Sequence, residues 1–180
     1  MGIDLPDRNF DEALAIEIAK GKENLGDREI ASLIDAPEIT IPEQRLAVQL
    51  LVNIDPPAYF AKQELYSVIV AKGTNIALQY GNIAESAKSF VTYGIVQGSI
   101  LGDYRAGYEF GQLAVKVSEK FHDFTQKCSA CLVFAGHLNH WVKHIKFAEE
   151  IFNDSYHAGL AVGELRHSGY ALEHQLRYLF

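Results

Sequence analysis

Residues 77–94 read ALQYGNIAESAKSFVTYG, and the interpretation of this stretch decides the fold. A run with helical apolar spacing halts at Gly81-Asn82 and restarts at once with the same character. All five prolines lie at or before Pro57, so residues 58–180 contain none. Long proline-free segments with apolar residues three and four apart are helices. The pattern predicts helices near 9–20, 27–34, 42–54, 58–80, 83–100, 104–121, 124–139, 144–162 and 165–180. Predicted breaks fall at Gly81-Asn82, Gly102-Asp103, His122-Asp123, Asn139 to Lys143 and Gly163-Glu164, each a short polar or glycine turn suited to antiparallel neighbours.

Three of these breaks, at Gly81-Asn82, His122-Asp123 and Gly163-Glu164, are 41 residues apart. On that register Ile83, Phe124 and Leu165 align, followed by Ala87, Cys128 and Gly169, then Phe90, Cys131 and Leu172. In the second helix of each unit Ile69, Phe110 and Ile151 align, and Gly73, Ala114 and Ser155 share a small position. Small residues let helix axes approach closely. The expected fold is all-α, an α-solenoid of antiparallel helix pairs with a 41-residue repeat; an unrelated helical bundle is the alternative. Residues 1–41 form a degenerate or partial repeat, and 42–180 form the array. Its units lie near 42–81, 83–122 and 124–163, with a truncated one at 165–180. The last helix has no partner and finishes on Tyr178-Leu179-Phe180. The chain is therefore expected to be a piece of a longer protein, or a homo-oligomer paired through exposed end helices.

Composition narrows the function. Nearly half of the 180 residues are hydrophobic, enough for a core, and 16 basic against 23 acidic side chains leave a net charge of −7. That balance argues against nucleic acid and anionic membranes as partners. Cys128 and Cys131 sit in an apolar stretch and imply no disulfide framework. With neither a signal-peptide pattern nor an apolar run of membrane-spanning length, a cytoplasmic location is expected.

Motifs of phosphate binding, kinase and esterase chemistry are absent. Cys128-Ser-Ala-Cys131 offers two thiolates, but both cysteines occupy small apolar columns of the repeat. His137, His140 and His144 would share one face of an uninterrupted helix, as a zinc site requires, yet the repeat places a turn after His140. The other reading has these rings and Trp141 packing that turn. Glu164-Leu-Arg-His167 has the E-x-x-H spacing of a di-iron helix, without a second copy. No catalytic residue, metal site or cofactor is expected. Tyr93, Tyr104 and Tyr108 form an aromatic patch interleaved with glycines. They read either as core or, with His140 and Trp141, as the lining of a peptide-binding groove.

The run SFVTYGIVQGSILGDYRAGYEFGQLAVKVSEKF, residues 89–121, resembles tetratricopeptide-like arrays, with Gly102-Asp103-Tyr104 in the turn and Ala114 at a small position. Its helices are longer than those of the usual 34-residue repeat. Taken with FAGHLNHWVKHI (134–145) and HSGYALEHQLRYLF (167–180), it is similar to the helical-repeat segment of large bacterial multi-domain signalling kinases. In those proteins a serine/threonine-kinase domain and a P-loop ATPase module precede the repeats, and GAF and histidine-kinase domains follow. The resemblance implies a non-catalytic scaffold or regulatory segment whose partners are the flanking kinase and ATPase domains or another protein or peptide. A stand-alone tetratricopeptide-type adaptor and a histidine-dependent metalloprotein are the alternatives.

Overall fold

The computed structural model describes residues 3–179, with side chains through Arg177. The apolar finish at Tyr178-Leu179-Phe180 lies outside the described side chains. Eight α-helices are described: α1 Phe10–Leu25, α2 Pro42–Ala61, α3 Gln63–Tyr80, α4 Ser86–Ile95, α5 Tyr104–Lys120, α6 Phe124–Val133, α7 Ala148–Val162 and α8 Leu165–Leu179. A 3₁₀ turn, Ile30–Asp35, stands where a helix over 27–34 was expected. Among the described residues no strand forms; one isolated parallel bridge joins Glu38 to Asn82.

Neighbours in sequence are neighbours in space. Helices α2 and α3, α4 and α5, α6 and α7, and α7 and α8 lie side by side, and α4 also touches α6, as α6 touches α8. The α1 helix packs on α3, and the 3₁₀ turn packs on α5.

Gly81 explains the interrupted run. Its φ of 109° is a backbone state that favours glycine, and a Cβ there would stand 2.0 Å from the Pro37 carbonyl oxygen. The backbone N–H of Asn82 donates to Pro37 O at 2.8 Å, and Ile39 N–H donates to Asn82 O at 3.1 Å. The turn between α3 and α4 therefore also holds the segment leading into α2.

One boundary needs correction. A break was expected between 54 and 58, but α2 runs through Pro56 and Pro57 to Ala61, and the chain turns at Lys62 instead. Pro56 has no N–H for the carbonyl of Val52, four residues earlier. Lys88 Nζ, from α4, donates to that carbonyl at 3.4 Å and pairs with buried Asp55 at 2.9 Å. Burial pushes the Asp55 carboxyl above its ordinary pKa, and Lys88 opposes the rise. A side chain of the neighbouring helix, held by its ion pair with Asp55, thus supplies a donor where Pro56 has none. Other helices differ in length or winding: α1 extends to Leu25 rather than residue 20. The expected helices 83–100 and 124–139 finish in π turns, Val96–Ile100 and Phe134–Leu138. A 3₁₀ turn, Ile145–Phe147, precedes α7.

The core is built on close helix approaches. A Cβ on Gly94 would meet Gly107 O at 2.7 Å, and one on Gly107 would meet Gly94 O at the same distance. At that crossing of α4 and α5, Phe90 and Phe110 stack with centroids 6.0 Å apart. Ser155 Oγ, on α7, donates to Cys128 O at 2.7 Å. Gly73 would meet Ser89 Oγ at 3.1 Å, and Ala114 is fully buried. The small position of each unit therefore lies in a helix–helix contact or in the core.

Candidate functional site

A cleft of about 770 Å³ opens between the end of α1, the 3₁₀ turn, α3 and α5. Its inner wall carries Tyr93, Phe110 and Leu78, and its rim carries Arg28, Arg105 and Glu109. Tyr93 reaches there from α4, meeting Phe110 edge-on at 5.2 Å. Gly21 on α1 leaves room for it: a Cβ there would stand 3.0 Å from the Tyr93 hydroxyl. Burial pushes the Tyr93 phenol above its ordinary pKa, and a hydrogen bond with Gln97 opposes this, so the group is a neutral hydroxyl at physiological pH.

The rim is locally organised. Arg28 donates through Nη2 to Leu78 O at 2.9 Å and to Asn24 O, fixing the guanidinium over the end of α3. Arg105 Nε donates to Glu109 Oε1 at 2.9 Å one turn along α5. Asp103 caps α5 by accepting from Ala106 N–H at 2.9 Å. An apolar wall beneath a rim of both charges suits recognition of a polar or peptide-like molecule.

Tyr104, Tyr108, His140 and Trp141 make aromatic contacts elsewhere. Trp141 packs edge-on to Tyr104 at 5.1 Å and to His140 at 5.6 Å, and Tyr108 meets Phe134 at 5.3 Å. The interleaved glycines make this possible. A Cβ on Gly98 would stand 2.0 Å from the Trp141 ring, and one on Gly111 would stand 2.3 Å from Phe134. Gly98, in the π turn after α4, and Gly111, in α5, are thus slots filled by side chains that follow α6. The structure brings together three of the five expected groove residues, Tyr104, His140 and Trp141, places Tyr108 against Phe134, and sets Tyr93 in the cleft. Arg28, Gln97, Arg105 and Glu109 were missed, because nothing in sequence spacing shows that the 3₁₀ turn settles against α5.

The histidine run does not stay on one helix. His137 lies in a π turn, His140 in the 3₁₀ turn Asn139–Trp141, and His144 caps the next turn by accepting from Lys146 N–H at 3.2 Å. His167 Nδ1 lies 3.0 Å from Glu164 Oε1, a local pair at the start of α8. Burial pushes the His167 pKa down. Among the described residues no group of three or more His, Cys, Asp or Glu side chains could hold a metal ion. Cys128 and Cys131 are buried free thiols; burial pushes Cys131 up to about 12. Among the described residues no helix is long and apolar enough to cross a membrane.

No protein-family model matches the chain, and no solved structure matches it. It is 23% identical over 126 residues to hybrid signal transduction histidine kinase G of Dictyostelium discoideum. That alignment covers 69% of this chain and 4% of the relative, so the chain is similar to one small segment of a large signalling protein.

Proposed function

We propose that the chain is a non-catalytic, tetratricopeptide-like helical-repeat segment that scaffolds or regulates a multi-domain signalling kinase. The observation that carries this reading is the similarity to a segment of a histidine kinase, a segment that is all-helical here. Support for a solenoid of antiparallel pairs comes from the order of contacts, each helix on the next and α4 on α6 on α8. Support for a 41-residue repeat comes from the placement of Gly73, Ala114 and Ser155. In this mechanism the stacked helices fix the distance and orientation of flanking catalytic domains. Binding along the stack biases those domains by favouring one spacing over another.

The test is autophosphorylation by the intact polypeptide that contains this segment. Gly107→Ile, which forces α4 and α5 apart, is expected to change the rate several-fold at equal protein level. An unchanged rate in that variant and in a deletion of 42–180 would refute the regulatory role. A second reading, a stand-alone adaptor, is favoured by the cleft around Tyr93. It expects peptide binding that Tyr93→Ala and Arg105→Ala weaken, with no effect on phosphorylation.

A further inference from the structure

Three backbone carbonyls hold the Arg28 guanidinium at the rim of the cleft. Nε donates to Leu25 O at 3.2 Å, and Nη2 donates to Asn24 O and, at 2.9 Å, to Leu78 O. These acceptors belong to the last turns of α1 and α3. Nη1 is left without a protein acceptor. Among the described residues no carboxylate pairs with Arg28, or with Lys22 in the last turn of α1, which lines the same cleft. The third cation, Arg105, is already held by Glu109.

Neutral carbonyls fix the place of a guanidinium without cancelling its charge, which leaves it ready for a charge-assisted hydrogen bond. The wall made by α1 and the segment after it therefore offers an anion two cations that the fold does not use as ion-pair partners. The rest of the lining limits how much charge that anion carries. Glu29, Asp103 and Glu109 stand against Lys22, Arg28 and Arg105, so the lining as a whole is neutral. Every negative charge beyond the first meets three carboxylates at short range, and one charge is favoured over two.

Behind the charged rim the cleft is apolar and partly aromatic, with Ile30, Leu78 and Phe110 on its wall. The Tyr93 hydroxyl and the Gln97 amide add two neutral polar groups, the hydroxyl set beside Gly21. A volume of about 770 Å³ falls within the span of small-ligand sites, roughly 300–1,000 Å³.

We propose that the cleft binds a small organic monocarboxylate with an apolar, ring-bearing body. Its carboxylate accepts from Arg28 Nη1 and Lys22 Nζ, and its body lies against Ile30, Leu78 and Phe110. The ligand joins α1 and the 3₁₀ turn to α5, elements far apart in sequence, and so favours the arrangement in which they are packed. The binding site stands on the cleft alone. Its role as an effector site rests on the regulatory reading above.

The test titrates the whole chain calorimetrically with naphthalene-2-carboxylate, and with naphthalene-2-carboxamide and 2-naphthyl phosphate as its neutral and dianionic counterparts. One-to-one binding of the carboxylate is expected, at least tenfold tighter than either counterpart. Lys22→Gln changes an exposed side chain without an ion pair in the fold. It should keep the wild-type melting temperature, weaken the carboxylate at least fivefold and leave the carboxamide unchanged. Ala106→Trp, which fills the cleft from α5, should abolish binding. No saturable binding of the carboxylate by the folded wild type would overturn the proposal. So would equal affinity for the carboxamide, tighter binding of the phosphate, or a Lys22→Gln variant with wild-type affinity. Autophosphorylation of the intact polypeptide separates the two claims. Carboxylate that binds and leaves the rate unchanged keeps the site and removes its effector role. Absence of binding removes the site and leaves the regulatory reading to the Gly107→Ile variant.

Discussion

Substituting the same residue type at two glycines is expected to change stability in opposite directions. Gly94 and Gly169 both lie in helices, and alanine is favoured over glycine in a helix interior by about 1 kcal/mol. At Gly169 nothing stands within 4 Å of the new methyl, so Gly169→Ala is expected to stabilise by about 0.5–1 kcal/mol. At Gly94 the methyl would stand 2.7 Å from Gly107 O and 2.8 Å from Leu138 Cδ1, where 3.4 Å is the ordinary lower bound. The leucine can turn away; the backbone oxygen cannot. Helices α4 and α5 must separate, and overpacking of this kind costs about 1–3 kcal/mol. Net of the propensity gain, Gly94→Ala is expected to destabilise by about 1–2 kcal/mol, lowering the melting temperature by about 2–8 °C for a chain of this size. Urea unfolding followed by circular dichroism measures both variants on one scale. If Gly94→Ala matched or exceeded Gly169→Ala in stability, the close crossing of α4 and α5 would be refuted.

Lys88→Met strands the buried Asp55 carboxylate, an arrangement that costs about 3–5 kcal/mol. Because burial already raises the Asp55 pKa, protonation favours the folded state, so the variant should regain stability as pH falls from 7 toward 5; a flat profile would count against the pair. Glu17 behaves with the opposite sign. Burial pushes its pKa up, but hydrogen bonds from Lys72, Asn75 and Lys20 outweigh this and hold it below 4.5. Its contribution is therefore present above pH 4.5 and lost as pH falls through the depressed value, a slope that Glu17→Gln should remove in acid titrations monitored by fluorescence. Cys128 and Cys131, buried with raised pKa values, should react with a thiol reagent at least a hundredfold more slowly in the native chain than in urea; equal rates would contradict their burial.

Much of the helical pattern was legible in residues 77–94 because a Gly-Asn pair between apolar runs leaves few options other than a turn. The repeat columns also picked out residues that prove buried, Ala87, Phe90, Cys128 and Cys131 among them. The Pro56-Pro57 boundary was misread, because a proline inside a helix needs an outside group for the carbonyl it leaves free. That group, Lys88, is 32 residues further on. The aromatic residues were found as a set, yet spacing alone could not divide them between two places.

By itself, the sequence determined most of the helical segments and where small residues recur, because propensity and apolar periodicity act over a few residues at a time. Only the tertiary structure decided that Trp141 and Phe134 fill the space left by Gly98 and Gly111, and that Tyr93 lines a cleft with Arg28 and Arg105. The same holds for Leu172 of α8, which is 42% exposed while Cys131, at the equivalent position of α6, is buried. Those outcomes depend on which surfaces meet across the fold, and burial is a property of the meeting, not of the residue.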